Sequence, residues 1–322
     1  MKYGSPVAYA IYGCDNVPES AWLNYAYALL AIAGADGRVT QAEMDWLFND
    51  FVNIVRGKND FKEALQSFDY NNADLDALLE KISLDIPINY KRALVYDAIK
   101  MSRADDVFAD TEKEAVEKTA NILRVPIYLA RTIEGLVSTE KSLESTRKSI
   151  FEVDRLSSSV IQNVFEISTQ KDTSILVKHT YGIGKTTDEV QLYYGYALMI
   201  ITGADGMVSA EERKWYREVY AVDEYIPDEI VEKVLACDYK NLDLEEVLNH
   251  LKADISINFK RTLLYNSIKM AHADAVYANE ERLAVSKTAR LLNIDLNIAH
   301  TIEYMIDTEN KVDLMRKKLF EI

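Results

Sequence analysis

Residues 12–43 read YGCDNVPESAWLNYAYALLAIAGADGRVTQAE, and 169 positions later residues 181–212 read YGIGKTTDEVQLYYGYALMIITGADGMVSAEE, with no gap between the two registers. The same shift lays IPINYKRALVYDAIKMSRAD (86–105) on ISINFKRTLLYNSIKMAHAD (255–274), with 12 of 20 positions identical. It also lays RKSIFEV (147–153) on RKKLFEI (316–322). The chain is therefore an internal duplication of a unit of 142 residues, which is long enough to bury a core of its own. Two domains are expected, 1–153 and 181–322, with a linker at 154–180. In that linker Leu156, Val160, Ile161, Val164 and Phe165 are spaced for one helical face, so it reads as partly helical.

Composition sets the class of each unit. With 11 Gly and 5 Pro in 322 residues, the turn signals that punctuate an all-β chain are scarce. Long stretches such as NYKRALVYDAIKMSRAD and EKEAVEKTANILRV place apolar residues three and four apart, the period of an amphipathic helix. Both units read as all-α, with six or seven helices each.

The duplication also decides how HTYGIGKTTDEV (179–190) is read. It resembles a phosphate-binding loop, but such a loop needs a glycine where His179 stands, and Gly184-Lys185-Thr186 falls on Asp15-Asn16-Val17 in the first copy. Polar entry to a helix is the expectation instead.

The net charge of −15 argues against nucleic acid or an anionic membrane surface as the main partner, because both require a positive field. A cation or a protein partner suits the balance better. Cys14 and Cys237 face Ile183 and Phe68 in the repeat register, so no disulfide framework is expected and a cytoplasmic setting fits. No run reaches the roughly 18 apolar residues of a membrane span, and no targeting segment is evident.

One acidic element recurs four times. ADGRVTQAE (35–43) and ADDVFADTE (104–112) in the first copy match ADGMVSAEE (204–212) and ADAVYANEE (273–281) in the second. Each pairs an Asp with a Glu: Asp36/Glu43, Asp105/Glu112, Asp205/Glu212 and Asp274/Glu281. Asp36-Gly37 reads as a helix stop, and Thr40 with Glu43 as a capping box for the next helix, a contribution of about 1 kcal/mol. In the second motif Ala109 and Ala278 replace the capping hydroxyl while the Asp and Glu remain, so capping alone does not account for the pair. If two such turns pack about a pseudo-twofold, four carboxylates converge. Two unit charges about 4 Å apart repel by roughly 4 kcal/mol at an effective dielectric near 20, and six such pairs exceed the roughly 5–15 kcal/mol stability of a domain. The group is therefore expected to spread out, to be neutralised by Lys or Arg, or to hold a hard cation such as Ca²⁺ or Mg²⁺.

An apolar helix, then A-D-G-x-[VI]-[ST]-x-x-E, then a weaker A-D-x-x-[FY]-x-x-x-E followed by TANILRV or TARLLNI, resembles the tellurite-resistance TerB family. It is also similar to the TerB-like domain of a membrane-anchored DnaJ-type co-chaperone. The resemblance implies a compact all-helical, internally duplicated domain whose clustered acidic residues bind metal, here the eight carboxylates above. Asp106 and Ala275 stand where the motif prefers Gly, which leaves the geometry of the second turn open.

Other positions recur. Lys91, Arg92 and Lys100 match Lys260, Arg261 and Lys269, and are expected to be counter-ions to the acidic turns or to hold an anionic ligand, with Asn89 and Asn258 as helix caps. Tyr25, Tyr27 and Tyr96 match Tyr194, Tyr196 and Tyr265, as core aromatics or as the lining of a small-molecule pocket. The four histidines are not shared, and no duplicated nucleophile and base appear. The reading that follows is a non-enzymatic, metal-associated or stress-response interaction module. The alternatives are a ligand carrier or acid–base enzyme using carboxylates and tyrosines, and a structural scaffold.

Overall fold

A computed structural model of the chain describes residues 2–3, 12, 17–55, 59–83, 88–151, 186–224, 226–251, 256–274 and 276–321. The expected linker helix and the stretch 179–185 lie outside these residues. Each unit is built around one helix that is apolar on nearly every side. In α1 (Glu19–Ala33), Trp22, Tyr25, Ala26, Leu29, Leu30, Ile32 and Ala33 are all buried. A helix without a polar face has to be enclosed by others.

Around α1 the first unit places a bent helix α2 (Gln41–Trp46, a π-turn at Leu47–Phe51, then Val52–Val55), α3 (Asn59–Gln66), α4 (Leu75–Ser83), α5 (Ile88–Ser102), α6 (Asp110–Ile122) and α7 (Ile127–Phe151). The second unit repeats the series as α8 (Asp188–Thr202), α9 (Ala210–Trp215, a π-turn at Tyr216–Tyr220, then Ala221–Asp223), α10 (Asp228–Leu235), α11 (Leu244–Leu251), α12 (Ile257–Ala271), α13 (Asn279–Leu291) and α14 (Leu296–Phe320). Helices α3, α4, α5 and α6 pack on α1, and α10, α11, α12 and α13 on α8. The architecture is all-α; the β structure among the described residues is one short antiparallel pairing of β1 (Lys2–Tyr3) with β2 (Val17–Pro18). No helix among them is long and apolar enough to cross a membrane.

The π-turns fall at equivalent places and have the same effect. The extra residue turns Phe51 onto Tyr25, with centroids 5.1 Å apart and rings 4° from parallel, and turns Tyr220 onto Tyr194 at 5.5 Å and 2°. Thr187 opens α8 by accepting from Val190 N–H at 3.3 Å, which is the polar helix entry expected there. Ser256, not Asn258, is the cap of α12, and it accepts from Phe259 N–H at 3.2 Å.

The compact units trade helix ends relative to the repeat boundaries. Among the described residues, those up to Ser142 and those from Lys311 onward form one unit, and those from Leu143 to Asn310 form the other. The cause is length: α7 and α14 each run 25 residues, about 37 Å without a break. Within the first unit Phe320 meets the edge of Tyr96 at 5.5 Å, and within the second Phe151 meets Tyr265 at 6.0 Å.

Gly195 in the middle of α8 opposes helix propensity to packing. A Cβ there would lie 2.5 Å from Val234 and 2.7 Å from the Tyr216 hydroxyl. In the first copy Ala26 stands at this place, with Leu47 and Leu65 where the second copy has Tyr216 and Val234. Alanine gains up to about 1 kcal/mol of helix propensity, but overpacking a filled core costs about 1–3 kcal/mol. Gly195→Ala is therefore expected to lower the thermal midpoint, and a raised midpoint would contradict the packing described.

Candidate functional site

The four Asp–Glu turns share one local geometry. Each aspartate folds its Oδ1 back onto the backbone two residues on: Arg38 N–H donates to Asp36 at 3.0 Å, Val107 to Asp105 at 3.0 Å, Met207 to Asp205 at 3.0 Å and Val276 to Asp274 at 2.9 Å. Gly37 and Gly206 take left-handed φ of 101° and 109° within the first turn of each unit. Asp106 holds φ 69° in the second turn without being glycine, and pairs with Lys141 at 2.5 Å. The missing glycine does not change that turn, since Asp is one of the few side chains that tolerate this region. Ala275 lies outside the described residues.

Every glutamate caps its own helix. The N-cap N–H of Thr40 donates to Glu43 Oε2 at 2.6 Å, Ala109 to Glu112 at 2.7 Å, Ser209 to Glu212 at 2.6 Å and Ala278 to Glu281 at 2.7 Å. The loss of the hydroxyl at Ala109 and Ala278 removes only the half of the box in which the cap side chain accepts. The glutamate half survives in all four, which corrects the inference that capping lapses in the second motif.

These caps point inward. Glu43, Glu112, Glu212 and Glu281 are 2–3 % exposed, and the two in each unit meet carboxyl to carboxyl. Two carboxyl groups in hydrogen-bond contact share a proton, because both cannot ionise. Burial is the first cause that lifts Glu112, opposed by the Ala109 N–H and reinforced by Glu43, to about 7. Burial and Glu212 lift Glu281 to about 8, and Asp205 adds to the effect. Glu43 and Glu212 are raised as well, by burial first, with Asp105 and Asp274 contributing in turn. The structure thus gathers Glu43, Glu112 and Asp105 in the first unit, and Glu212, Glu281, Asp205 and Asp274 in the second. Asp36 is engaged in its own turn, with Oδ2 4.0 Å from the Arg38 guanidinium.

The recurrent cations do not neutralise these turns. Lys100 pairs with Glu140 at 3.7 Å and Lys269 with Glu309 at 2.8 Å. Arg92 donates to Leu319 O at 2.8 Å and to Glu321, Arg261 donates to Ile150 O, and the Asn258 amide donates to Phe151 O at 2.7 Å. Lys91 and Lys260 form no ion pair with an acidic turn among the described residues. The basic set therefore holds helix ends and buried glutamates. Sequence reading missed Glu140, Glu309 and Asp97, although Glu140 and Glu309 coincide under the shift of 169. Asp97 is 1 % exposed, accepts from Tyr25 at 2.7 Å and Tyr12 at 3.0 Å, and is pushed up to about 7 by burial against those two bonds.

The donor chemistry of the paired turns suits a hard, oxygen-loving cation. In the first unit the fully buried Ser102 hydroxyl faces Glu112 and favours the charged form of its carboxyl, against the effect of burial. The positions do not close into a cage: no group of three or more His, Cys, Asp or Glu among the described residues is set to hold a metal. The fit is one of chemistry and of two touching carboxyls per unit.

Comparison with known proteins bears on both repeats. The family model described as tellurite resistance protein TerB matches twice, over residues 23–130 and 195–302. No curated protein and no solved structure matches.

The shared protons carry a pH signature. Glu112 and Glu281 have folded-state values above the ordinary 4.5, so the stability they contribute is complete below about 4.5 and is lost as pH rises through about 7 in the first unit and about 8 in the second. Glu112→Gln and Glu281→Gln keep the acceptor for the cap N–H and supply a donor for the facing glutamate. Their thermal midpoints, relative to wild type, are expected to climb between pH 5 and pH 8–9; a constant offset across that range would rule out the shared proton.

Proposed function

The chain belongs to the tellurite resistance protein TerB family, in two tandem copies, and we propose from that membership that it is a non-enzymatic, stress-response module whose units each take up a divalent cation at the paired acidic turns. The observation that carries this reading is the pair of buried glutamates in each unit whose carboxyls face each other, so that burial and the facing carboxyl raise their proton affinity. Once the shared proton leaves, two carboxylates face each other in a site of low exposure, and a doubly charged cation removes the repulsion that results. Glu43 with Glu112, and Glu212 with Glu281, would hold Ca²⁺ or Mg²⁺. Asp105, Asp205 and Asp274 add negative potential, and Asp36 stands at the rim turn of the first unit. Uptake of the cation is coupled to release of the shared proton.

The tyrosines argue against the alternative of an acid–base enzyme or ligand carrier. Tyr25 donates to Asp97, Tyr96 to Glu140 at 2.6 Å and Tyr265 to Glu309 at 2.9 Å, while Tyr194 accepts from Asn266 at 2.9 Å. Tyr27 stacks on Phe68 with centroids 4.1 Å apart. These hydroxyls and rings serve the cores. A protein partner that reads the cation-loaded state, in a cytoplasmic setting, completes the proposal.

Calorimetric titration with Ca²⁺ and with Mg²⁺ at pH 6 and pH 8, in buffers of different ionisation enthalpy, is expected to show two sites per chain, tighter at pH 8, with proton release. Glu112→Gln and Glu281→Gln are each expected to remove one of the two. If neither cation at millimolar concentration shifts the melting curve at pH 8 relative to chelator, the reading fails.

A further inference from the structure

The last turns of α7 and α14 carry the same signature, Arg147-Lys148 with Ile150-Phe151 and Arg316-Lys317 with Leu319-Phe320, and each lies in the compact unit formed by the other repeat. Their seats are equivalent. In the first unit Arg316 donates to Glu140, which also accepts from Tyr96, while Arg92 holds Leu319 O and Phe320 meets Tyr96. In the second unit Arg147 donates to Glu309 at 2.5 Å, which also accepts from Tyr265, while Arg261 holds Ile150 O and Phe151 meets Tyr265. Burial alone would raise Glu140 and Glu309, but Lys100 with Arg316, and Lys269 with Arg147, outweigh it and hold both carboxyls below the usual range. The matches to the family model end at residues 130 and 302, so Glu140, Arg147, Glu309 and Arg316 lie beyond the matched regions, while Arg92, Tyr96, Arg261 and Tyr265 lie within them.

A repeat cannot fill its own seat. Glu140 and Arg147 sit on one unbroken helix, seven residues or about 10 Å apart, as do Glu309 and Arg316. Each seat needs a helix end from another repeat, and the two ends present the same guanidinium, the same aromatic ring and the same terminal carbonyl. Nothing in the seat distinguishes its own molecule's other repeat from that of a second molecule; only effective concentration does. The segment from 152 to 185 gives the connection a contour of up to about 110 Å, so chain length does not confine the exchange to one molecule.

We propose that the two latches also close between two copies of the chain, giving a dimer in which each unit takes its final helical turns from the other molecule. The partner is a second copy, recognised through Glu140 and Glu309 on one side and Arg147 and Arg316 on the other. Exchange of identical elements between protomers is a low-cost route to such dimers, since it forms no contact absent from the monomer.

Charge reversal tests this in the full chain. E140R/E309R sets Arg against Arg in every latch that variant forms with itself, and R147E/R316E sets Glu against Glu. Only a one-to-one mixture restores four Arg–Glu pairs, all of them between molecules. Each variant alone is expected to melt below wild type and to run at the chain mass. Co-refolding the two from denaturant is expected to give mainly a one-to-one species of twice the chain mass by native mass spectrometry, with the midpoint recovered. Should a variant not fold alone, recovery of helical circular dichroism in the mixture is the readout. A mixture that stays at the chain mass, or stays unfolded, overturns the proposal.

Discussion

A carboxyl group that caps a helix from inside a protein brings its charge with it, and four such groups meet here in two pairs. Each of Glu43, Glu112, Glu212 and Glu281 accepts the N-cap N–H of its own helix at 2.6–2.7 Å, which fixes its position. Each is also nearly without exposure, which removes water as a partner. Capping and burial together bring the two glutamates of a unit into contact, and burial with that contact raises their affinity for a proton. The helix–turn–helix geometry, the raised titration and the candidate site all follow from that arrangement. The capping and cation readings of these glutamates are compatible, because one oxygen serves the backbone while the carboxyl as a whole faces its partner.

The basic residues obey a separate logic. In a chain of net charge −15, Lys and Arg near an acidic motif invite pairing with it. They are used instead where two long helices end. A helix C-terminus leaves carbonyls unpaired and carries partial negative charge, so a guanidinium placed on Leu319 O or Ile150 O satisfies both. Glu140 and Glu309 then hold their charge in the interior because two cations and a tyrosine hydroxyl face each of them. The acidic turns draw on other cations instead, Lys141 on Asp106 and Lys113 on Asp110.

The two copies have diverged at points that matter electrostatically. Asp97 between two tyrosine hydroxyls becomes Asn266, which donates to Tyr194 and removes a buried ionisable group from the second core. Ser102 beside Glu112 becomes Ala271, and Arg103, bound to Glu134 at 2.6 Å, becomes His272, 3.5 Å from Asp307. The paired turns are thus backed by different side chains in the two units, while the glutamates themselves are retained.

How much of this was legible in the sequence follows from the range of the interactions. The duplication, the all-helical class, the capping box at Thr40 and the polar helix entry within 179–190 depend on residues within four positions of one another or on a repeat visible by inspection, so the amino-acid order by itself determined them. The repulsion argument considered only spreading, basic neighbours or a cation, whereas the glutamates meet through burial and a contact between positions 69 apart, which no local spacing reports. The assignment of Lys100, Arg92, Lys269 and Arg261 to the acidic turns went astray for the same reason: Arg92 and Arg261 bind carbonyls at helix ends of the other repeat, and Lys100 and Lys269 bind glutamates 40 positions further along the chain. Only the tertiary structure decided which repeat each helix end completes, because two such similar signatures on two such similar seats carry no information in sequence about their pairing, and α7 and α14, at 25 residues each, carry their ends past their own repeat's seat.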